Sequence, residues 1–326
     1  MLILTEKDLR QVLKMADVID AVEAGFRALA SGDAVAPSRL HLEIPEHKGV
    51  LLDMSSRAKI GDKSLLGTKT VTVFENNAAR NLESVQALYN LIDGETGTPL
   101  ALMEGRFITA IRTAATSAMA TRLLAPAGKK RLAIYGAGVQ ARFHIEAMLE
   151  VVEVESIMIA SRTETRAAAL RDSVKSLYNI HCEVVGPDRA ASEANLICTC
   201  TGSPRPLFDG SLIQQGAHIN AVGAFTPSTR ELDTEAVRRG RVFVDAEDAA
   251  GREAGDVLIP IAEGAIEPSH IKGTLAELVT GKVQGRNSAE EITIFKSSGL
   301  AIEDLVTALL AYDRALELGI GTSVPL

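Results

Sequence analysis

Apolar positions along this chain change their spacing twice, and each change marks a different kind of structure. Near the start, Val18, Ile19, Val22, Phe26 and Leu29 fall on one stripe at helical spacing, and Thr5 or Asp8 can cap an earlier helix. From Pro37 the spacing shortens to alternating runs at 40–44, 49–54, 66–74, 84–92 and 99–103. Asp93-Gly-Glu-Thr-Gly97 separates the last two as a hairpin turn. This stretch predicts a mostly antiparallel sheet with a helix packed on it. Short apolar runs then follow at 131–135, 156–160, 181–185, 196–200, 217–222 and 242–245, alternating with helical segments such as 165–177. That rhythm predicts a parallel, doubly wound sheet with ligands at the carboxyl ends of its strands. After 292–299, residues 300–313 form a long amphipathic helix that can return to the first region and make it discontinuous.

The run 131–135 ends abruptly in Gly136-Ala-Gly138-Val-Gln-Ala141, and Phe143, Ala147 and Met148 continue it at helical spacing. Strand, tight turn and helix stand where a dinucleotide site needs them. Gly136 allows the turn, Gly138 lets a diphosphate approach the backbone, and Ala141 lets helix and strand pack closely. A phosphate there meets unpaired amides of the helix N-terminus. The fold class expected is therefore α/β: a Rossmann-type doubly wound domain over 123–303, and a discontinuous α+β domain over 1–122 completed by 304–326. At the end of the second strand, where Asp or Glu would receive a free ribose 2′-hydroxyl, the chain reads Ser161-Arg162-Thr163. Arg162 can grip a 2′-phosphate through two charge-assisted bonds, and Ser161 and Thr163 can donate to it. NADP(H) is expected ahead of NAD(H), the alternative being a solvated turn that caps the next helix.

Composition narrows the rest. The 326 residues, 46% of them hydrophobic, suffice for two cores. A net charge of −8 with no basic run argues against nucleic acid and anionic membranes as partners. Charge enters too early after Met1 for a secretory leader, and no apolar run reaches spanning length, so a soluble cytoplasmic protein is expected. Cys182, Cys198 and Cys200 lack metal-site spacing and read as core residues. In the first region Arg39 opens a strand, Lys69 lies within one, and Arg112 opens the small-residue helical run Arg112-Thr-Ala-Ala-Thr-Ser-Ala-Met-Ala. Each cation taken singly reads as a surface charge. Arg112 is the exception, because a close-packing helix leaves few ways to expose it, and a buried cation needs an anion such as a bound carboxylate.

Arg112-Thr-Ala-Ala, Gly136-Ala-Gly-Val-Gln-Ala141, Gly216-Ala-His-Ile-Asn-Ala-Val-Gly223, Pro227 with Arg230-Glu-Leu-Asp233, and Phe295-Lys-Ser-Ser-Gly-Leu-Ala-Ile-Glu-Asp304 together resemble the ornithine cyclodeaminase/mu-crystallin family over nearly the whole chain. The resemblance implies an NAD(P)-binding domain beside a substrate domain that also makes a homodimer. It implies that Arg39, Lys69 and Arg112 bind the substrate carboxylate or act at the reacting carbon. Ser84, Val139, Gln140, Thr201, Val222 and Ser297 would contact the cofactor, as would Arg112, and Met54, Phe225 and Ser298 would line the substrate pocket.

One departure from the family pattern directs the reading. Cyclodeaminases, and an archaeal alanine dehydrogenase of the family, carry Gly-x-Asp-x-Pro-Gly-Lys, whereas this chain has Gly223-Ala-Phe225-Thr-Pro227-Ser-Thr. Phe225 cannot exchange a proton or pair with an ammonium group. The expectation is therefore an imine reductase acting on a cyclic imino acid such as Δ1-pyrroline-2-carboxylate or Δ1-piperideine-2-carboxylate. Arg39 and Arg112 would fix the carboxylate and Lys69 would protonate the imine nitrogen as hydride arrives from NADPH. An alanine-type dehydrogenase, an ornithine cyclodeaminase and a non-enzymatic ligand-binding protein are the alternatives.

Overall fold

The computed structural model describes residues 1–325, the side chains of Glu75 and Ala78 aside, and the chain forms two compact units, residues 1–116 with 299–326 and residues 117–298. The first unit begins with strands β1 (Leu2–Leu4), β2 (Ala34–Val35), β3 (Leu40–Ile44), β4 (Gly49–Ile60), β5 (Lys63–Phe74), β6 (Val85–Asp93) and β7 (Pro99–Glu104). The second holds β8 (Lys130–Tyr135), β9 (Val154–Ala160), β10 (His181–Val184), β11 (Leu196–Thr199), β12 (His218–Ala221), β13 (Gly240–Val244), β14 (Ile271–Thr274) and β15 (Ile292–Lys296), and β16 (Thr322–Ser323) returns to the first.

In the first unit the sheet order is β16-β1-β7-β6-β5-β4-β2, with β3 also on β4, and its pairs are antiparallel except β1 with β7. Alternate residues face inward: Leu52, Met54, Ser56 and Ala58 on β4, and Leu65, Gly67, Lys69 and Val71 on β5. The helices Met15–Ser31 and Ala301–Leu318 cover that face. They approach so closely that a Cβ on Gly25 would stand 3.1 Å from Val306 and 3.2 Å from Ile302. Thr5 caps the helix Glu6–Val12 in a reciprocal capping box with Asp8.

Two boundaries differ from the reading of the sequence. Strands β4 and β5 run on to Ile60 and back from Lys63 around Gly61, which has φ +59°. The small inward residues Ser56 and Ala58 hid this extension, because they leave the apolar half of the alternation weak between the outward Ser55, Arg57 and Lys59. Arg112, expected at a helix start, lies instead in the middle of the helix Gly105–Leu124. That helix starts where the Glu104 carboxylate accepts from the amides of Arg106 and Phe107, at 3.1 and 2.8 Å.

The second unit is an eight-stranded sheet in the order β10-β9-β8-β11-β12-β15-β13-β14, parallel throughout. The chain steps outward one way through β8, β9 and β10, then crosses back to β11 and β12. The change of direction between β8 and β11 leaves a crevice beyond the carboxyl ends of the strands. No helix among the described residues is long and apolar enough to cross a membrane.

Gly67 makes the interior of the first sheet testable, because a Cβ there would overlap the buried Tyr89 hydroxyl. Gly67→Ala should lower stability by about 1–3 kcal/mol through overpacking. Adding Tyr89→Phe should restore part of the loss in a urea unfolding midpoint, and no recovery would show that the two residues do not meet.

Candidate functional site

The second unit's crevice has a volume of about 440 Å³ and is lined by the ends of β8, β9 and β11 and the start of the segment after β10, including Gly136, Gly138, Ser161, Arg162, Thr163, Arg166 and Thr201. Gly136 has φ +110°, and a Cβ on it would come 2.6 Å from the Cys200 carbonyl oxygen, so both conformation and space require glycine. Gly138 is the N-cap of the helix Val139–Val151 and offers no side chain to satisfy its first amides. A Cβ there would meet nothing within 4 Å, which leaves the approach open to a diphosphate. Val139 is exposed, and Gln140 Oε1 is buried without a protein partner. His144, a turn later, is fixed between the Gln140 carbonyl and the Ser117 hydroxyl at 2.8 and 3.0 Å, and burial brings its pKa down to about 4. It stays neutral and structural. These features fit a dinucleotide.

Beyond the end of β9, Arg162 just before the next helix and Arg166 in its first turn both border the crevice, with no carboxylate beside them in its lining. Thr163 takes the N-cap position of the helix Glu164–Tyr178 without a side-chain cap bond, while its amide donates to Ser161 Oγ at 3.3 Å. Thr201, Val222, Phe225, Ser297 and Ser298 all follow the carboxyl ends of β11, β12 and β15. Ser297 and Ser298 are buried, and Phe225 is 38% exposed. Cys200, expected as a core residue, also borders the crevice.

The first unit brings Lys69, Arg112 and Met54 into its interior. Met54 stands opposite Lys69 in the β4–β5 register and Tyr89 stands opposite it on β6. Leu40 pairs with Asp53, so the same register continued by one residue carries Arg39 toward Met54. Arg39 is half-buried, and its charge joins burial in lowering the pKa of His41. Ser84 lies half-buried before β6, its carbonyl accepting from the Phe74 amide.

The anions that the buried cations require are internal, and the sequence did not single them out. Asp304 accepts from Lys69 Nζ with both oxygens, at 2.9 and 2.8 Å, and from Arg112 Nε at 3.0 Å. Glu303 accepts from Arg112 Nη1 at 2.7 Å and from Thr116 Oγ1 at 2.9 Å. All four charged groups are at most 4% exposed. Burial, joined by the Arg112 charge, lowers the Lys69 pKa to about 8 against the opposing pull of Asp304. For Arg112 burial acts downward, but the two carboxylates outweigh it and hold the guanidinium firmly protonated. Burial, then the Asp304 charge, raises the Tyr89 phenol well above its ordinary value, so it stays neutral. The arrangement offers an ammonium whose pKa is lowered to about 8 beside a guanidinium held through Nε and Nη1.

Known proteins share this organisation. The profile of the ornithine cyclodeaminase/mu-crystallin family matches residues 1–319. A Δ1-pyrroline-2-carboxylate reductase of Bacillus cereus (strain ATCC 10987 / NRS 248) is 36% identical over 326 residues, 99% of each chain. The structure of the Thermococcus litoralis Δ1-pyrroline-2-carboxylate reductase, in complex with NADH and L-proline, superposes with a TM-score of 0.96 at 40% identity, covering 99% of this chain and 100% of that one. An archaeal alanine dehydrogenase dimer with bound NAD gives a TM-score of 0.93 at 31% identity, over 100% of this chain and 99% of its own. Both the motifs and the fold that carries them thus place this chain in the ornithine cyclodeaminase/mu-crystallin family.

Proposed function

We propose that this protein reduces a cyclic imino acid of the Δ1-pyrroline-2-carboxylate or Δ1-piperideine-2-carboxylate type to the cyclic amino acid, with NADPH as the preferred hydride donor. At the coarser level it is a pyridine-nucleotide oxidoreductase acting on a carbon–nitrogen double bond. The observation that carries the finer reading is the buried Lys69 ammonium held against Asp304 and Arg112, where burial lowers its pKa to about 8 and suits it to give up a proton. In this reading Arg112 and Arg39 hold the substrate carboxylate, and the dinucleotide supplies the hydride that the imine carbon accepts. Phe225 supports a ring substrate without a side-chain ammonium, in place of the Asp that resemblance to cyclodeaminases would lead one to expect. NADPH is favoured by Arg162 and by the lack of a carboxylate at the end of β9. Wild-type protein should therefore oxidise NADPH with a cyclic imino acid, need no ammonia, and form no proline from ornithine. Arg162→Ala should raise the KM for NADPH about 10- to 100-fold and leave NADH use nearly unchanged. Robust ornithine cyclodeamination would end this assignment, and equal losses with both cofactors would make Arg162 structural.

The role of Lys69 has a signed pH dependence. The acid form is the ammonium, so kcat/KM should hold below pH 8 and fall as pH rises through the Lys69 pKa of about 8. Asp304 raises that pKa by charge and by hydrogen bonding. Asp304→Asn removes most of that support and should move the falling limb roughly one to three pH units lower. An unmoved limb in a folded variant would remove Lys69 as the proton donor.

We also read the protein as a homodimer. The outward face of the first sheet exposes Leu40, Leu42 and Leu88, at 57%, 56% and 55%. An apolar patch of this kind is what a partner subunit covers. Leu42→Glu with Leu88→Glu should convert the protein to monomers in analytical ultracentrifugation. A monomeric wild type would refute the reading.

A further inference from the structure

Glu231 lies in the second unit, follows no regular element, and is fully buried. Its carboxylate takes donors from two different strand ends. Oε1 accepts from the Thr201 amide and Thr201 Oγ1, both at 2.7 Å. Oε2 accepts from Thr199 Oγ1 at 2.7 Å and from the Gly223 amide at 2.6 Å. One side chain therefore joins the end of β11 to the end of β12. The two ends are in contact, since a Cβ on Gly223 would overlap the Thr201 backbone and come 2.7 Å from Glu231 Oε1. Gly223 is thus required by the clamp itself.

The clamp is anchored from behind. Asp256 Oδ1 accepts from the amides of Glu231 and Leu232 at 2.7 and 2.9 Å, and Asp256 pairs with Lys296 Nζ at 2.9 Å. The Lys296 ammonium also donates to the carbonyls of Ala221, at 3.3 Å, and Ala224. Lys296 ends β15 directly before Ser297, whose amide donates to the Ala221 carbonyl at 3.0 Å. Burial and the Asp256 charge raise the Glu231 pKa, against the hydroxyl donors and Lys296. The donors facing it need an acceptor on each oxygen, which the carboxylate provides and an amide does not.

We propose that Glu231 is a positioning residue for the dinucleotide: it holds the loops after β11 and β12 in the spacing that receives the cofactor, without touching the cofactor itself. Thr201 borders the crevice, and the clamp fixes its amide and its hydroxyl together. The inference rests on the dinucleotide reading of the crevice and is independent of which imine is reduced.

Direct titration of NADPH fluorescence, alongside steady-state kinetics, tests this in Glu231→Gln, Thr199→Val and Asp233→Ala. Glu231→Gln turns one acceptor oxygen into a donor facing donors, and the Kd and KM for NADPH should rise about 10- to 100-fold. At saturating cofactor, kcat and the imine KM should stay within about threefold of wild type, because only cofactor positioning is lost. Thr199→Val removes one donor and keeps the carboxylate, so it should move the same two constants the same way by about 2- to 10-fold. Asp233 caps the helix Thr234–Arg239 and binds the Gly210 amide, so Asp233→Ala reports loss of stability alone: a lower Tm with unmoved NADPH affinity. If Glu231→Gln and Thr199→Val behave like Asp233→Ala, the proposal is overturned. Should Glu231→Gln fail to fold, Thr199→Val decides the matter alone. Wild type that binds neither NADPH nor NADH would instead refute the dinucleotide reading, a distinguishable failure.

Discussion

Asp304 accepts from Lys69 and Arg112 at once, and the interior of the first unit is arranged around that shared carboxylate. Burying a lone ion costs several kcal/mol even after relaxation, so neither cation could occupy this interior without an anion at contact distance. With Glu303 the cluster carries two positive and two negative charges and is neutral as a whole. That balance explains how a strand can point a lysine inward among Leu65, Val71 and Met54. In the proposed reaction the proton that Lys69 gives up passes to the imine nitrogen, so the total charge of cluster and substrate together is unchanged.

The second unit solves a different problem, holding polar backbone at strand ends in the right spacing. Parallel strands end in amides with no further ladder partner, and a ligand site needs some of them satisfied and others left available. The amides of Thr201 and Gly223 are taken by Glu231 and that of Ser298 by Asp245, while Gly138 has no side chain with which to cap the helix behind it. Buried acids thus divide the strand-end amides into those fixed by the protein and those left for a ligand.

How far the sequence revealed this depended on how far apart the partners lie. The strand, turn and helix around Gly136 were legible because every requirement is met within a few neighbouring residues. Arg112 could be singled out as a buried cation from its small-residue helix, whereas Lys69, which taken singly reads as a surface charge, is buried as well, and the anions of neither could be singled out. Glu303 and Asp304 open a helix, where acidic residues are ordinarily explained by the helix dipole at an exposed N-terminus. Only the packing of that helix on β4 and β5 shows that they face inward. Glu231 was hidden for the same reason, since its donors sit on two loops that come together only in the folded sheet. The extension of β4 and β5 was missed because its inward residues Ser56 and Ala58 are small and give little apolar signal.

The spacing of the cluster along the chain also constrains how the protein can be made. Lys69 meets its carboxylate 235 residues later, and Arg112 meets Asp304 192 residues later. During synthesis from the N-terminus, both cations and the strand and helix that carry them leave the ribosome well before residues 303 and 304 exist. All of the second unit, residues 117–298, is translated in that interval. Domains fold as units while the chain grows, so the second can close on its own while the first holds uncompensated charge. The first unit's interior therefore cannot close before the helix Ala301–Leu318, which carries both carboxylates, has been made.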